Sequence, residues 1–314
     1  MASSAVFERL ALNAPYLTSK LFIPALVYGT AWKKDATASL VYQALSNGFT
    51  GIDTACQPKH YREDLVGAGL RQVLADGVLK RSDVYVQTKY TSLSGQDPDN
   101  IPYDPKASIT EQVKASVAVS LKNLRSEEDE ASAGDGNSYL DALILHSPLK
   151  TIDETMEAWH TLEKYVPSQI RSLGVSNCNI HTLMDIYERA NIKPAVVQNR
   201  FYPNSKFDIG IRKFCREKAI IYQSFWTLTA NPGLVFSAEV GSLANQTRIS
   251  EQAALYAMVL GLGNTVILDG TKKVQTMKED HAALVKVKEF AIKHQEEWKG
   301  LLSRFKSLIG EPKS

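Results

Sequence analysis

The sequence predicts a (β/α)8 barrel on three observations. Short apolar, β-branched runs recur along the chain, an amphipathic stretch follows each, and polar or ionisable residues close several of the runs. Strands alternating with helices indicate βαβ units and a parallel sheet. An open doubly wound sheet is the rival, but no GxGxxG follows the first run. Eight such units suit a closed barrel better than an open sheet.

The candidate strands lie at 25–29, 50–53, 84–88, 142–146, 172–175, 195–198, 219–223 and 264–268. Helical spacing marks 36–47, 62–76, 106–123, 152–164, 180–190, 208–217 and 250–260, and a long stretch begins at 272. Two segments break this rhythm. Residues 125–137 (RSEEDEASAGDGN) are acidic and rich in small residues, without apolar periodicity, and read as a flexible surface insertion. Near 286–310, Phe290, Ile292, Trp298, Leu301, Leu302, Phe305 and Leu308 keep helical spacing. This tail is expected to pack outside the barrel, with a partner-binding helix as the alternative. The whole chain, 1–314, reads as one barrel domain.

Composition excludes several classes of function. The 314 residues carry 36 basic and 34 acidic side chains with no dense Lys/Arg block, so nucleic acid is not an expected partner. Cys56, Cys178 and Cys215 form neither a CxxC pair nor an even set, which suits a reducing compartment. Glu8 and Arg9 interrupt the apolar stretch near the start, unlike a signal peptide, and no run approaches the length of a membrane span. A cytoplasmic protein without membrane partners is expected.

In a (β/α)8 barrel the active site lies at the C-terminal ends of the strands. Asp53 closes GFTGID, Lys89 closes VYVQTK and His146 closes DALILH, so three ionisable residues on successive strands point to one face. Singly, each has an ordinary reading, as a cap, a surface end or a satisfied core group. Tyr61 follows Asp53 by eight residues. The segments IDTA, Tyr61 with Glu63 and LVG, then QTK, LILHSP, LGVSN and VVQNRFYP, occur in an order and spacing that resembles the aldo-keto reductase superfamily. The Asp-to-Tyr interval, lengthened by CQPKH and ending in HYRED, is similar to that of fungal-type members. The resemblance implies a catalytic tetrad of Asp53, Tyr61, Lys89 and His146, with His60 as the local competitor of Tyr61.

Those residue types suit carbonyl reduction, which needs hydride at carbon and a proton at oxygen. A free tyrosine titrates at about 10. A nearby Lys⁺ favours its phenolate, and a carboxylate keeps that lysine charged and oriented. His146 can donate to the carbonyl oxygen.

The resemblance also implies a nicotinamide cofactor, NADP, with NAD as the alternative. Ser176, Asn177 and Gln198 would hold the carboxamide, and Thr30 joins the cofactor set. Tyr222 and Ser224 fall where the family shows a tyrosine followed by Ser-Pro-Leu, leaving Tyr222, Gln223 and Trp226 as stacking or wall residues. After the eighth strand, VILDGTKKVQTMKED departs from the family's Val-Ile-Pro-Lys-Ser run. With Thr271 matched to the serine, Gly270 and Thr276 replace the two cations that grip a 2′-phosphate, and Glu279 and Asp280 stand at its Glu-Asn. Lys272 and Lys273 are then the available substitutes. Trp32, Tyr90, Phe201, Tyr202 and Trp226 are candidates for an aromatic wall around a carbonyl or alcohol substrate. Two other functions compete: a catalytically weak nicotinamide-binding regulatory protein on the same barrel, and a metal-dependent hydrolase, for which no HxH or HExxH motif speaks.

Overall fold

The computed structural model describes residues 4–126 and 138–311; of the acidic insertion expected at 125–137, all but the first two residues lie outside the described residues. Eight parallel strands close a barrel: β3 (Leu26–Gly29), β4 (Gly51–Asp53), β5 (Tyr85–Tyr90), β6 (Ala142–Leu145), β7 (Leu173–Ser176), β8 (Val196–Arg200), β9 (Ile221–Phe225) and β10 (Thr265–Asp269), with β10 pairing back to β3. Each expected strand is present, and none is shifted by more than two residues at either end. The fold is the (β/α)8 barrel.

Local sequence sets the helix starts. Ser108, Asn179 and Ser250 accept the backbone N–H of Glu111, Thr182 and Ala253, while Thr151 and Glu154 form a reciprocal capping box. Three elements had no sequence signal. A hairpin of β1 (Arg9–Ala11) and β2 (Phe22–Pro24) closes the N-terminal end of the barrel. Its Ile23, with Leu12 and Leu21 beside it, packs onto Val27, Tyr85, Ile144 and Val266. Helices Pro232–Val235 and Ala238–Thr247 intervene between β9 and β10. The tail forms a helix, Gln295–Leu308, that buries Trp298, Leu301, Leu302 and Phe305, with Trp298 edge-on to Phe7 at 5.7 Å. No described helix is long and apolar enough to cross a membrane.

Strand alternation sorts the interior. Below, the inner face is apolar; towards the mouth it turns polar, where Asp53, Gln87, Lys89, Gln198 and Gln223 meet. The intervening residues Tyr28, Tyr90 and Tyr222 point outward into the helix layer. Behind the mouth, buried Glu63 accepts hydrogen bonds from Thr88 on β5 and from Ser120 (2.9 Å) and Asn123 (3.1 Å) on helix Ile109–Leu124. One carboxyl thereby ties the helix that follows Tyr61 to the strand bearing Lys89.

Gly174, the glycine of LGVSN, faces the barrel interior. A Cβ there would lie 2.4 Å from Ile144 Cδ1 and 2.6 Å from the Val196 carbonyl oxygen. The isoleucine tip can turn away, but the backbone oxygen cannot. Gly174→Ala is therefore expected to destabilise the fold by about 1–3 kcal/mol, the range for overpacking. A urea midpoint equal to the parent's would refute this packing constraint.

Candidate active site

Asp53 and Lys89 form the floor of the mouth. Lys89 Nζ donates to both Asp53 oxygens, at 2.7 and 2.6 Å, and to the Thr54 carbonyl at 2.7 Å, so all three of its N–H groups are engaged. Asp53 Oδ1 also accepts from Gln87 (2.6 Å) and Gln198 (3.0 Å). Burial pulls the Lys89 ammonium below its ordinary pKa, and Asp53 opposes that shift.

Tyr61 sits above this pair, with Lys89 Nζ 5.0 Å from its ring centre. The lysine has no N–H left for the phenol oxygen, so it acts on Tyr61 only through space. Burial first, and the Asp53 charge second, raise the phenol well above its ordinary pKa. Lys89 is expected to favour the phenolate; burial and the Asp53 charge act on the phenol in the opposite direction. His146 faces it edge-on, ring centres 6.1 Å apart. Burial, then the charges of Lys89 and His60, lower the imidazole to about 3, so it is neutral. Thr91 Oγ1 lies 2.6 Å from His146 Nδ1. With the hydroxyl donating, Nε2 carries the ring proton and faces the mouth as a donor. The His60 ring lies against Trp32, 3.8 Å between ring centres and tilted by 35°.

The remaining candidates divide by strand face. Ser176 Oγ donates to the Gln198 carbonyl (2.6 Å), and the Asn177 amide donates to the His146 carbonyl (2.9 Å). The Gln198 amide is turned down to Asp53 and to Gln223 Oε1 (2.6 Å). Thr30 bonds the Asp53 carbonyl at 2.9 Å and pins β3 to β4. Tyr222 points away from the mouth, its hydroxyl donating to Asp208 at 3.0 Å, and Ser224 pairs with Thr227 at 2.6 Å. Tyr90 packs outward beside Tyr103 and Phe201 beside Phe207, so neither ring reaches the mouth. Trp32 and Trp226 do, at 54% and 52% exposure. Both, like Asn177, have left-handed backbone (φ 62°, 56° and 53°). Such strain in non-glycine residues clusters where a fold aims side chains at a ligand.

The Aldo/keto reductase family profile matches residues 25–296. The chain belongs to that family. It is 30% identical over 202 residues to an NAD(P)H-dependent D-xylose reductase of Scheffersomyces stipitis, covering 60% of this chain and 59% of that enzyme. An NAD/NADP-dependent indole-3-acetaldehyde reductase of Schizosaccharomyces pombe is 26% identical over 278 residues, covering 83% of this chain and 85% of the other. A Bombyx mori aldo-keto reductase crystallised with NADP superposes with a TM-score of 0.67 at 19% identity, over 90% of this chain and 93% of that one.

The loop after β10 carries the expected phosphate-binding candidates. Lys272, Lys273 and Glu279 are exposed, and Glu279 accepts from Gln275 at 2.8 Å. Thr271 is fixed by Asp269, which accepts its N–H at 2.9 Å, and by Tyr28, whose hydroxyl donates to its carbonyl. A cation reaches this loop from the segment after β3, unforeseen in the sequence. Lys33 donates to the Gly270 carbonyl, and a Cβ on Gly270 would lie 3.7 Å from Lys33 Nζ. Burial and Lys272 lower that ammonium to about 8. Two further residues escaped the sequence reading: Phe225, inward at the end of β9, and Arg200, inward at the end of β8. Alternation from Gln223 and Gln198 could have found both.

Asp280 is buried beside the Asp269 carboxyl, close enough for the two charges to interact. Burial and the second carboxyl raise it far above the ordinary range. A group whose folded pKa is raised binds more protons folded than unfolded, so its stabilisation is present at acid pH and lost as pH rises through the folded value. Asp280→Asn is therefore expected to be flatter than the parent in urea midpoint between about pH 5 and 9, and the more stable of the two at the alkaline end. Parallel profiles would mean that the pair holds no shared proton.

Proposed function

We propose that this chain is a nicotinamide-dependent oxidoreductase that reduces an aldehyde or ketone to an alcohol, or runs the reverse, with Tyr61 as the acid. The observation that carries the reading is the convergence of the Tyr61 and His146 rings, 6.1 Å between centres, above the buried Asp53–Lys89 pair. The chain spans little more than half the length of the first of its yeast relatives, so activity is inferred from these residues together with the family. The relatives' names support NADP or NAD without choosing between them. A cytoplasmic location accords with the three free, buried cysteines.

The donor set suits a nicotinamide: the Ser176 and Asn177 side chains lie at the rim, the Phe225 ring offers a flat apolar face, and Lys33, Lys272 and Lys273 surround the loop after β10. Bound there, the cofactor would supply the hydride. Tyr61 gives its proton to the carbonyl oxygen, and Lys89 steadies the phenolate through space. Lys89 keeps its own proton because Asp53 and the Thr54 carbonyl hold it. His146 Nε2 orients the carbonyl oxygen, with Nδ1 fixed by Thr91. Trp32 and Trp226 screen the reacting atoms from water.

Tyr61→Phe is expected to keep cofactor affinity and lose carbonyl-dependent oxidation of reduced nicotinamide by at least about a hundredfold, the scale of general acid catalysis. Full turnover by this variant would pass the role to another group.

Lys272 and Lys273 are proposed to read a 2′-phosphate. Replacing both by Ala should weaken NADPH binding by about 1–3 kcal/mol and leave NADH nearly unchanged. Fluorescence titration with both cofactors tests this, and equal losses would show that the lysines do not discriminate.

A further inference from the structure

Arg200 is the last residue of β8, one inward position above Gln198. Its guanidinium lies 4.1 Å from the Trp226 ring centre, 5.1 Å from that of Tyr202 and 5.9 Å from that of Phe225. Aromatic faces attract a cation without consuming its N–H groups. No carboxylate or carbonyl among the described residues accepts from the fork, and Nε is buried without a partner. The buried Nε is left unanswered, and the half-exposed terminal amines hydrogen-bond no described group of the protein, so the fork is free to take a ligand.

The side chain also faces an opening. A cavity of about 600 Å³ is lined by Asn177, Asn179, Arg200, Tyr202, Ser205 and Asp208, among others. Asp208, the carboxyl on this wall, is turned to Asn199 (2.9 Å) and Tyr222 (3.0 Å) rather than to Arg200. At the other end, Asn177 bonds the His146 carbonyl, so the cavity adjoins the proposed reaction site. The strands of His146 and Arg200 are two strand spacings apart, about 10 Å. That is the reach of a small bifunctional molecule.

We propose that Arg200 is the receptor for an anionic oxygen group, carboxylate or phosphate, on a molecule bound over the barrel mouth. Its planar fork matches such a group in two parallel hydrogen bonds, and the surrounding rings hold it open. Two sources share this chemistry: a carbonyl substrate with an acid group at its far end, and the diphosphate of the cofactor. The assignment rests on the mouth being the reductase's binding site, but anion binding can be read without turnover.

Trp226 is the reporter, since it lies against the guanidinium. Inorganic diphosphate and succinate, titrated at constant ionic strength, are expected to change tryptophan emission saturably. Trp226→Phe should lose the signal. Arg200→Met should weaken binding at least tenfold, with Arg200→Lys between it and the parent. Kinetics then separates the sources. A tenfold fall in kcat/KM for an aldehyde acid relative to its methyl ester identifies the substrate. Equal falls for acid and ester, with tenfold weaker NADPH and NADH binding, identify the diphosphate. An anion titration that fails in the parent, or that Arg200→Met leaves unchanged, overturns the proposal. Parent protein that binds anions but reduces no carbonyl sinks the reductase reading and leaves Arg200 standing.

Discussion

Burying a carboxylate at the centre of a barrel demands donors on every side, because an unpaired charge in that environment is strongly destabilising. Asp53 meets the demand with Lys89, Gln87 and Gln198, and Gln223 in turn links the two glutamines. The rest of the mouth follows from this arrangement. Lys89 has no proton to spare for Tyr61, Gln198 is committed downward, and the Asp53 charge helps to hold the phenol in its acid form. The site is a stack in which burial, and secondarily the charged pair below, shifts the proton affinities of the groups above.

Positions around that stack are fixed from outside the barrel. Glu63 locks the helix after Tyr61 to β5, and Thr91 locks the His146 ring. Trp32 takes a left-handed backbone and lies against His60 from the lengthened loop. That lengthening thus adds an aromatic shelf beside Tyr61 rather than a second acid. Left-handed backbone occurs at both ends of the barrel, at Trp32, Asn177 and Trp226 above and at Ala219 and Asn264 below, and an apolar hairpin closes the lower end.

Charge has moved around the rim compared with what the family resemblance led one to expect. Gly270 lacks a side chain where a cation was expected, and Lys33, from the loop after the neighbouring strand β3, donates to the Gly270 carbonyl. Asp280, expected to face a cofactor, instead lies under the loop against Asp269. On β8, Arg200 adds a positive group with no internal partner. Positive groups at the rim therefore come from three places: the loop after β3, the end of β8 and the loop after β10.

The barrel and the cluster proposed as catalytic are both legible in the chain's local pattern. Period-2 apolar runs and capped amphipathic helices are local properties, and Asp53, Lys89 and His146 are strand-end residues whose direction follows from the closed parallel sheet. The same alternation explains what was misjudged in detail. Tyr90 and Tyr222 are one residue out of phase with Lys89 and Gln223, so they face helices, while Phe225 and Arg200 are in phase and face the mouth. The hairpin seal, the Lys33–Gly270 contact and the Asp269–Asp280 pair were legible nowhere in the sequence. Each joins segments far apart in the chain or turns on side-chain direction, and only the closure of the barrel decides which distant groups meet and how much water remains between them.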